Sequence, residues 1–175
     1  MADQQTAGLA VRQSIVVEAS QERAFAVFTE QVDTWWPIAE RHIGGSEPVA
    51  AVLEGHVGGR WFERAADGTE CPWGRVLAWE PPARVVLSWE ISADWQPDPE
   101  TASTIEVRFE SLGERRTRVE LEHRGLEVYG ERAQEMRDMF DGEDAWADLL
   151  ARFRATASGA ESGGAGADAS GAGAS

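Results

Sequence analysis

The middle of the chain alternates apolar and polar residues with a period of two, and this alternation limits the possible folds most. Turn signals such as Gly58-Gly59 and Pro81-Pro82 divide it into short segments. Short connections between such segments favour antiparallel neighbours in one sheet. The predicted strands are Pro48–Val57, Gly59–Arg64, Trp73–Glu80, Arg84–Ser92, Thr104–Ser111 and Thr117–Arg124.

The alternation also assigns the two faces of the predicted sheet. Val85, Leu87 and Trp89 share one face of the fourth of these strands. Arg84 and Glu90 share the opposite face, and the last two strands repeat this division of apolar residues from Arg and Glu. We therefore expect a sheet with one dry face and one wet face that carries a lattice of Arg and Glu.

The segment before this region predicts a further strand and two helices. Val11–Ala19 is rich in β-branched residues and predicts the first strand. Ser20 is a suitable N-cap for a helix over Gln21–Gln31, which carries an apolar stripe. Asp33 is a candidate cap for a second short helix that ends before Pro37.

The segment after the strands predicts a long amphipathic helix over Glu131–Arg154, bent or broken near Gly142. The order of elements is then strand, two helices, six strands and a long helix. It predicts an α+β fold in which a curved antiparallel seven-strand sheet wraps around the C-terminal helix. We expect one domain over residues 10–156, a disordered N-terminus over 1–9, and a flexible Ala/Gly/Ser tail over 157–175.

Charge and composition argue against several classes of partner. The 175-residue chain carries 16 basic side chains, all Arg, against 31 acidic ones, so a nucleic-acid partner is not expected. The single cysteine, Cys71, excludes an internal disulfide and a cysteine-based zinc site, and we expect no catalytic role for it. No apolar run approaches the roughly 20 residues that span a bilayer, so membrane insertion is not expected. No signal-peptide pattern is present, which predicts a cytoplasmic protein.

Several short motifs, in the right order, give the chain a family resemblance. They include Trp35–Pro37, Gly58–Glu63, Trp73–Val76, His123–Leu126 and Trp146–Leu150. In these motifs the chain resembles the SRPBCC (START/Bet v 1-like, helix-grip) superfamily, and within it the branch similar to the activator of heat-shock protein 90 ATPase. The resemblance implies a helix-grip fold and a cavity between the concave sheet face and the long helix. The superfamily includes carriers, polyketide cyclases, oxygenase domains and co-chaperones, so the fold alone does not choose a function.

The eight tryptophans are the strongest indication of a binding site. A Trp offers a large apolar area and one N–H donor, which suits a flat or ring-containing ligand. The alternative is that these side chains only fill the core. The predicted ligand-binding residues are Trp35, Trp36, Trp61, Glu63, Trp73, Arg75, Trp89, Phe109, His123, Tyr129, Met136 and Phe140.

Glu63 and His123 are the candidates for acid–base chemistry, although no catalytic residue is assigned. Glu63 shares a strand face with Trp61, so it faces the cavity if Trp61 does, and is otherwise an exposed charge beside Arg64 and Arg75. His123 lies on the apolar face of the last strand. It is either a general base or a neutral histidine that is hydrogen-bonded within the wall.

The leading hypothesis is the binding of a small hydrophobic or aromatic molecule rather than catalysis. One alternative is a protein-interaction module whose partner is a chaperone or another protein, with the Arg/Glu face as its contact surface. Another is an enzyme similar to polyketide cyclases that uses polar cavity residues. The three histidines, including His42 and His56, lack the spacing of a metal site, and we expect neither a metal nor another cofactor. A monomer and a homodimer both remain open.

Overall fold

Seven strands form one antiparallel sheet in the computed structural model, which describes residues 9–159. The strands are β1 (Val11–Val17), β2 (Pro48–Leu53), β3 (Arg60–Ala65), β4 (Glu70–Glu80), β5 (Arg84–Trp89), β6 (Ser103–Gly113) and β7 (Arg116–Arg124). Their order is β1-β7-β6-β5-β4-β3-β2, so β1 alone pairs out of sequence, with β7. The predicted α+β helix-grip fold is confirmed.

The first helix, α1 (Gln21–Phe28), begins where the sequence predicts. The Ser20 hydroxyl accepts a hydrogen bond from the Arg23 backbone N–H at 3.1 Å, which confirms the predicted N-cap. The helix ends three residues earlier than predicted. Thr29 is its C-cap, and the Thr29 hydroxyl donates to the Phe25 carbonyl at 2.7 Å.

The predicted capping role of Asp33 is wrong. Asp33 lies inside a single 3₁₀ turn, Val32–Thr34, whose N-cap is Gln31. Its carboxylate instead accepts the backbone N–H of Ala51 at 2.9 Å. A tertiary contact to β2 therefore takes the side chain that local capping would have used.

The predicted long C-terminal helix is broken, as its glycine suggested. A 3₁₀ helix (Leu126–Arg132) leads into α2 (Ala133–Phe140), and residues 141–145 separate α2 from α3, which spans residues 146–159. The predicted domain boundary after residue 156 falls inside α3, because Ala157 is helical and fully buried. The predicted disordered N-terminus up to residue 8 and the tail from residue 160 lie outside the described residues.

The two faces of the sheet differ as the alternation predicts. On the dry face, the central strands bury Val85, Ile105 and Val107 against the helices. On the wet face, Glu106 accepts hydrogen bonds from Arg84, Arg108 and Arg124 at 2.7, 2.8 and 2.6 Å. Desolvation by itself would raise the pKa of Glu106, but the three guanidinium groups outweigh it and lower the pKa to about 2.

Candidate ligand-binding cavity

A cavity of about 210 Å³ lies between the dry face of the sheet, α2, the start of α3 and the loop that follows Trp36. Its wall is largely aromatic. Its rim is formed by four consecutive residues of the loop, three of them polar. The aromatic wall comprises Trp36, Trp73, Trp89, Trp95, Phe140 and Trp146, and the rim comprises Glu40, Arg41, His42 and Ile43. His123 also lines the cavity.

The tryptophans of the wall pack against one another and are held by specific N–H contacts. The rings of Trp36 and Trp73 have centroids 5.0 Å apart, and those of Trp73 and Trp89 are 6.2 Å apart. Trp36 donates its N–H to the Arg41 carbonyl at 2.9 Å, and Trp146 donates to His123. The buried N–H of Trp89 has no hydrogen-bond partner among residues 9–159.

His123 is fully buried, and both of its ring nitrogens are occupied. Nδ1 lies 3.0 Å from the Trp146 N–H, which can only donate, so Nδ1 is the acceptor and Nε2 carries the proton. Nε2 then donates to the Ser103 hydroxyl at 2.8 Å. Burial lowers the pKa of His123 to about 3. This arrangement is that of a neutral structural histidine, the second of the two alternatives that the sequence left open.

Glu63 faces inward, which the sequence left undecided. Glu63 is buried, with 2% of the whole residue exposed. One carboxylate oxygen accepts the N–H groups of Ile43 and Trp73 at 2.5 and 2.9 Å, and the other accepts the N–H of Gly44 at 2.9 Å. Glu63 thus ties a wall tryptophan to the rim loop.

Gly44 makes this close approach possible. A Cβ atom on Gly44 would lie 3.0 Å from Glu63 Oε2 and 3.2 Å from Cys71 Cβ. Cys71 itself is a weak nucleophile, because burial and then the neighbouring Glu63 charge raise the pKa of its thiol to about 11.

The other side of the rim loop is fastened to α3. The Arg41 guanidinium donates to the Asp144 carbonyl and lies 3.4 Å from the Asp148 carboxylate. Arg152 lies 3.6 Å from the Glu40 carboxylate. The loop therefore crosses the cavity between Glu63 on β3 and the acidic first turn of α3.

Five of the predicted ligand-binding residues line the cavity: Trp36, Trp73, Trp89, His123 and Phe140. Glu63 lies directly behind the rim and the wall. The rest are placed elsewhere. Trp35, Trp61, Phe109 and Met136 are buried in the core, Tyr129 is buried with its hydroxyl donating to the Ile91 carbonyl at 2.8 Å, and Arg75 is exposed and pairs with Glu90.

Burial raises the pKa of the Tyr129 hydroxyl to about 12, against the weaker effects of Ser103 and Trp89 nearby.

The suggested partnership of Glu63 with His123 is not formed. No hydrogen bond or ion pair joins the two in the part of the chain that the structure describes. One ionisable neighbour of Glu63 is His42, whose Nδ1 lies 3.9 Å from Glu63 Oε2.

Several lining residues were missed by the sequence predictions. They are two tryptophans and residues from the rim loop and from the junction of α2 and α3: Trp95, Trp146, Glu40, Arg41, His42, Ile43, Met139, Ala145 and Leu149. For the residues at the helix junction, the sequence signal was Gly142, which lies in the segment that separates α2 from α3.

Among residues 9–159, no cluster of three or more His, Cys, Asp or Glu side chains could hold a metal ion, and no helix is long and apolar enough to cross a membrane.

Comparison with solved structures gives several full-length neighbours. An anthrahydroquino-γ-pyrone synthase, Txn09, complexed with SUM, is 41% identical over 83% of this chain and 94% of that chain, with a TM-score of 0.59. CalC, a self-sacrificing resistance protein from Micromonospora echinospora, is 27% identical over 85% and 93% of the two chains, with a TM-score of 0.61. The Aha1 dimer from Colwellia psychrerythraea shares the fold, with a TM-score of 0.55. It is 15% identical over 85% of this chain and 96% of that chain.

These neighbours show the fold that the resemblance implies. No curated protein sequence matches the chain. A family model described as Activator of Hsp90 ATPase homolog 1-like protein matches residues 18–158, which is most of the chain. The chain therefore belongs to the family of activator of Hsp90 ATPase homolog 1-like proteins.

Proposed function

We propose that the chain binds a flat, polycyclic aromatic molecule in the cavity between the sheet and the helices α2 and α3. The observation that carries this proposal is the aromatic wall, in which six Trp and Phe side chains surround a space of about 210 Å³. Such walls bind ring systems through stacking and edge contacts and through burial of apolar area. The space is smaller than the roughly 300–1,000 Å³ of typical ligand pockets, which favours a compact ring system over a long lipid chain.

The comparison with Txn09 supports the same class of ligand. The name of that synthase describes an anthrahydroquinone joined to a γ-pyrone, which is a flat polycyclic phenol. Arg41 and His42 at the rim also line the cavity and offer polar groups to the hydroxyl and carbonyl oxygens of such a ring system. An aromatic wall with a polar rim matches a ligand of apolar faces and polar edges.

Titration of the intrinsic tryptophan fluorescence with alizarin, a dihydroxyanthraquinone, tests the proposal, with stearic acid as the comparison ligand. Ala145 lines the cavity, whereas Ala151 is exposed on α3 and does not. We expect Ala145→Phe to weaken alizarin binding at least tenfold and Ala151→Phe to leave it unchanged. Absence of quenching and of a thermal shift with alizarin, or equal affinity of both variants, would contradict the proposal.

Ring-closing catalysis is a second candidate function, favoured by the 41% identity to a synthase. A γ-pyrone forms when a phenol oxygen adds to a carbonyl of an ortho-hydroxyaryl β-diketone and the adduct loses water. Incubation of the protein with such a diketone, followed by mass spectrometry, tests this candidate. Return of the diketone unchanged, although it binds, would leave binding as the function.

The interaction-module alternative stays a prediction, as do a chaperone partner and the cytoplasmic location. Its proposed contact surface, the wet face, already pairs many of its charges internally. Arg108 binds Glu106 at 2.8 Å, and Arg118 binds Glu110 at 2.8 Å. A partner would have to compete with these pairs, which weighs against this surface as the main binding site.

A further inference from the structure

We propose that His42 is the proton acceptor for an acidic phenol of the bound ligand, and that Glu63 positions His42 for this role. The inference rests on the proposed function, since it requires a phenolic ligand in the cavity. It assigns to the rim loop the chemistry that the sequence had suggested for the pair Glu63 and His123.

The tautomer of His42 follows from its hydrogen bond. Nδ1 lies 3.1 Å from the Gly44 carbonyl, which can only accept, so Nδ1 carries the proton of the neutral ring. The lone pair is then on Nε2, which has no hydrogen bond within residues 9–159. His42 lines the cavity, and its side chain is 32% exposed, so the imidazole ring can be reached at the cavity rim.

Glu63 supplies the charge that favours this proton transfer. Its carboxylate is fixed by three N–H donors and lies 3.9 Å from His42 Nδ1, and no arginine pairs with it in the described part of the chain. A positive imidazolium would be stabilised by a fixed negative group behind it. Two further charges of the same loop flank His42. Arg41 would stabilise a phenolate, while Glu40 is directed to Arg152.

The proposed step moves one proton and needs no other reactant. The phenol O–H bond breaks and an N–H bond forms at His42 Nε2, which gives a phenolate and an imidazolium from two neutral groups. His123 lacks the free lone pair for this step, since one nitrogen accepts from Trp146 and the other donates to Ser103.

The absorption spectrum of bound alizarin tests this step, because the phenol and phenolate forms of the dye absorb at different wavelengths. The spectra of free and bound dye are compared at each pH from about 5 to about 8, a range that spans the titration of an unperturbed imidazole. We expect the phenolate band with the unaltered protein and at least a tenfold weaker band with His42→Asn. The Asn amide can still donate to the Gly44 carbonyl, and fluorescence quenching gives the fraction of dye bound, so that the band is compared per bound dye. His56→Asn, at an exposed turn outside the cavity, is the matched control and should keep the band.

Glu63→Gln tests the positioning role, and we expect a band of intermediate strength while the dye stays bound. Thermal unfolding of each variant identifies any that fails to fold. Alizarin bound to the unaltered protein without a phenolate band would overturn the inference alone. An undiminished band in His42→Asn would do the same. Failure of alizarin to quench the fluorescence of the unaltered protein would overturn the proposed function and this inference together.

Discussion

Two buried carboxylates on opposite faces of the same sheet are satisfied in different ways. Glu106, 6% exposed on the wet face, accepts hydrogen bonds from three arginines. Glu63, 2% exposed behind the cavity, accepts hydrogen bonds from two backbone N–H groups and an indole. The first charge is paired with three arginines of its own sheet, whereas the second lies 3.9 Å from the His42 imidazole and has no arginine partner among residues 9–159. We therefore expect Glu106 to serve stability and Glu63 to serve the proposed site.

Glu106→Gln should have the largest effect on stability. Because the pKa of Glu106 falls from 4.5 to about 2 on folding, its charged form stabilises the fold by roughly 3 kcal/mol. A group with a lowered pKa contributes fully above its unfolded pKa, so this stabilisation is present above about pH 4.5. It is lost as the pH falls towards about 2. Urea unfolding of both proteins across this range measures the effect.

Glu120 offers the matched control for Glu106, since it is an exposed carboxylate on the same face. Glu120→Gln should change the free energy of unfolding by less than about 0.5 kcal/mol. If both variants cost the same, the three-arginine network around Glu106 would not be the cause.

Glu63→Gln should cost less than Glu106→Gln, about 1–2 kcal/mol. The amide oxygen can still accept from some of the three N–H donors, but the amide nitrogen leaves at least one buried donor unpaired. Urea unfolding at neutral pH, on both variants side by side, gives the comparison. A larger loss for Glu63→Gln would make Glu63 the main electrostatic support of the fold, contrary to the interpretation above.

Gly44→Ala should have a smaller effect, about 1 kcal/mol, with a measurable loss of alizarin affinity. Its Cβ would lie 3.0 Å from Glu63 Oε2, so the rim loop must shift away from the carboxylate. Gly45 is the neighbouring control, because a Cβ there meets nothing within 4 Å. Thermal unfolding and fluorescence titration of the two alanine variants separate contact with Glu63 from a general effect of the substitution. Equal changes in both would argue against the contact.

The strands could be predicted because period-two alternation is a local signal, and the division into a dry and a wet face follows from it. The same rule could not predict which face of β3 carries Glu63, and the reason is physical. On β3 both faces are covered: Trp61 and Glu63 are buried on one, and Phe62 is 1% exposed on the other, with the Arg60 guanidinium 4.3 Å from its ring. Alternation in sequence then carries no information about which side faces water.

The partner of Glu63 could not be predicted either, since it depends on the path of an irregular loop. His42 is 21 positions before Glu63 in the sequence and reaches it through the turn at Gly44. His123 has the apolar strand position that suggests a cavity base. Yet that same burial, with Trp146 and Ser103 on its two nitrogens, makes it structural. The more exposed histidine, in the less regular segment, has the free nitrogen.

Cys71 reports on the charge of Glu63 and gives the smallest expected effect. It is the single cysteine of the chain, so alkylation by a thiol reagent is specific for this site. Its pKa rises from 9.0 to about 11, mainly through burial and secondly through Glu63. Alkylation near pH 8 should therefore be roughly 100-fold slower than for an unperturbed thiol. Glu63→Gln removes the second cause only and should speed the reaction by about threefold.

Glu70→Gln, next to Cys71 in the chain, is the control for this measurement. Glu70 is paired with Arg60 at 3.0 Å and with Arg64 at 3.6 Å, so removal of its charge takes one ion-pair partner from each arginine, although Arg60 keeps Glu54 at 3.1 Å. Nearby net charge then becomes more positive, yet Glu70 is not among the causes of the raised Cys71 pKa. The alkylation rate should stay within a factor of about two. If Glu70→Gln speeds the reaction as much as Glu63→Gln does, the effect is a general one of charge, and Glu63 loses its distinction as the unneutralised carboxylate of the site.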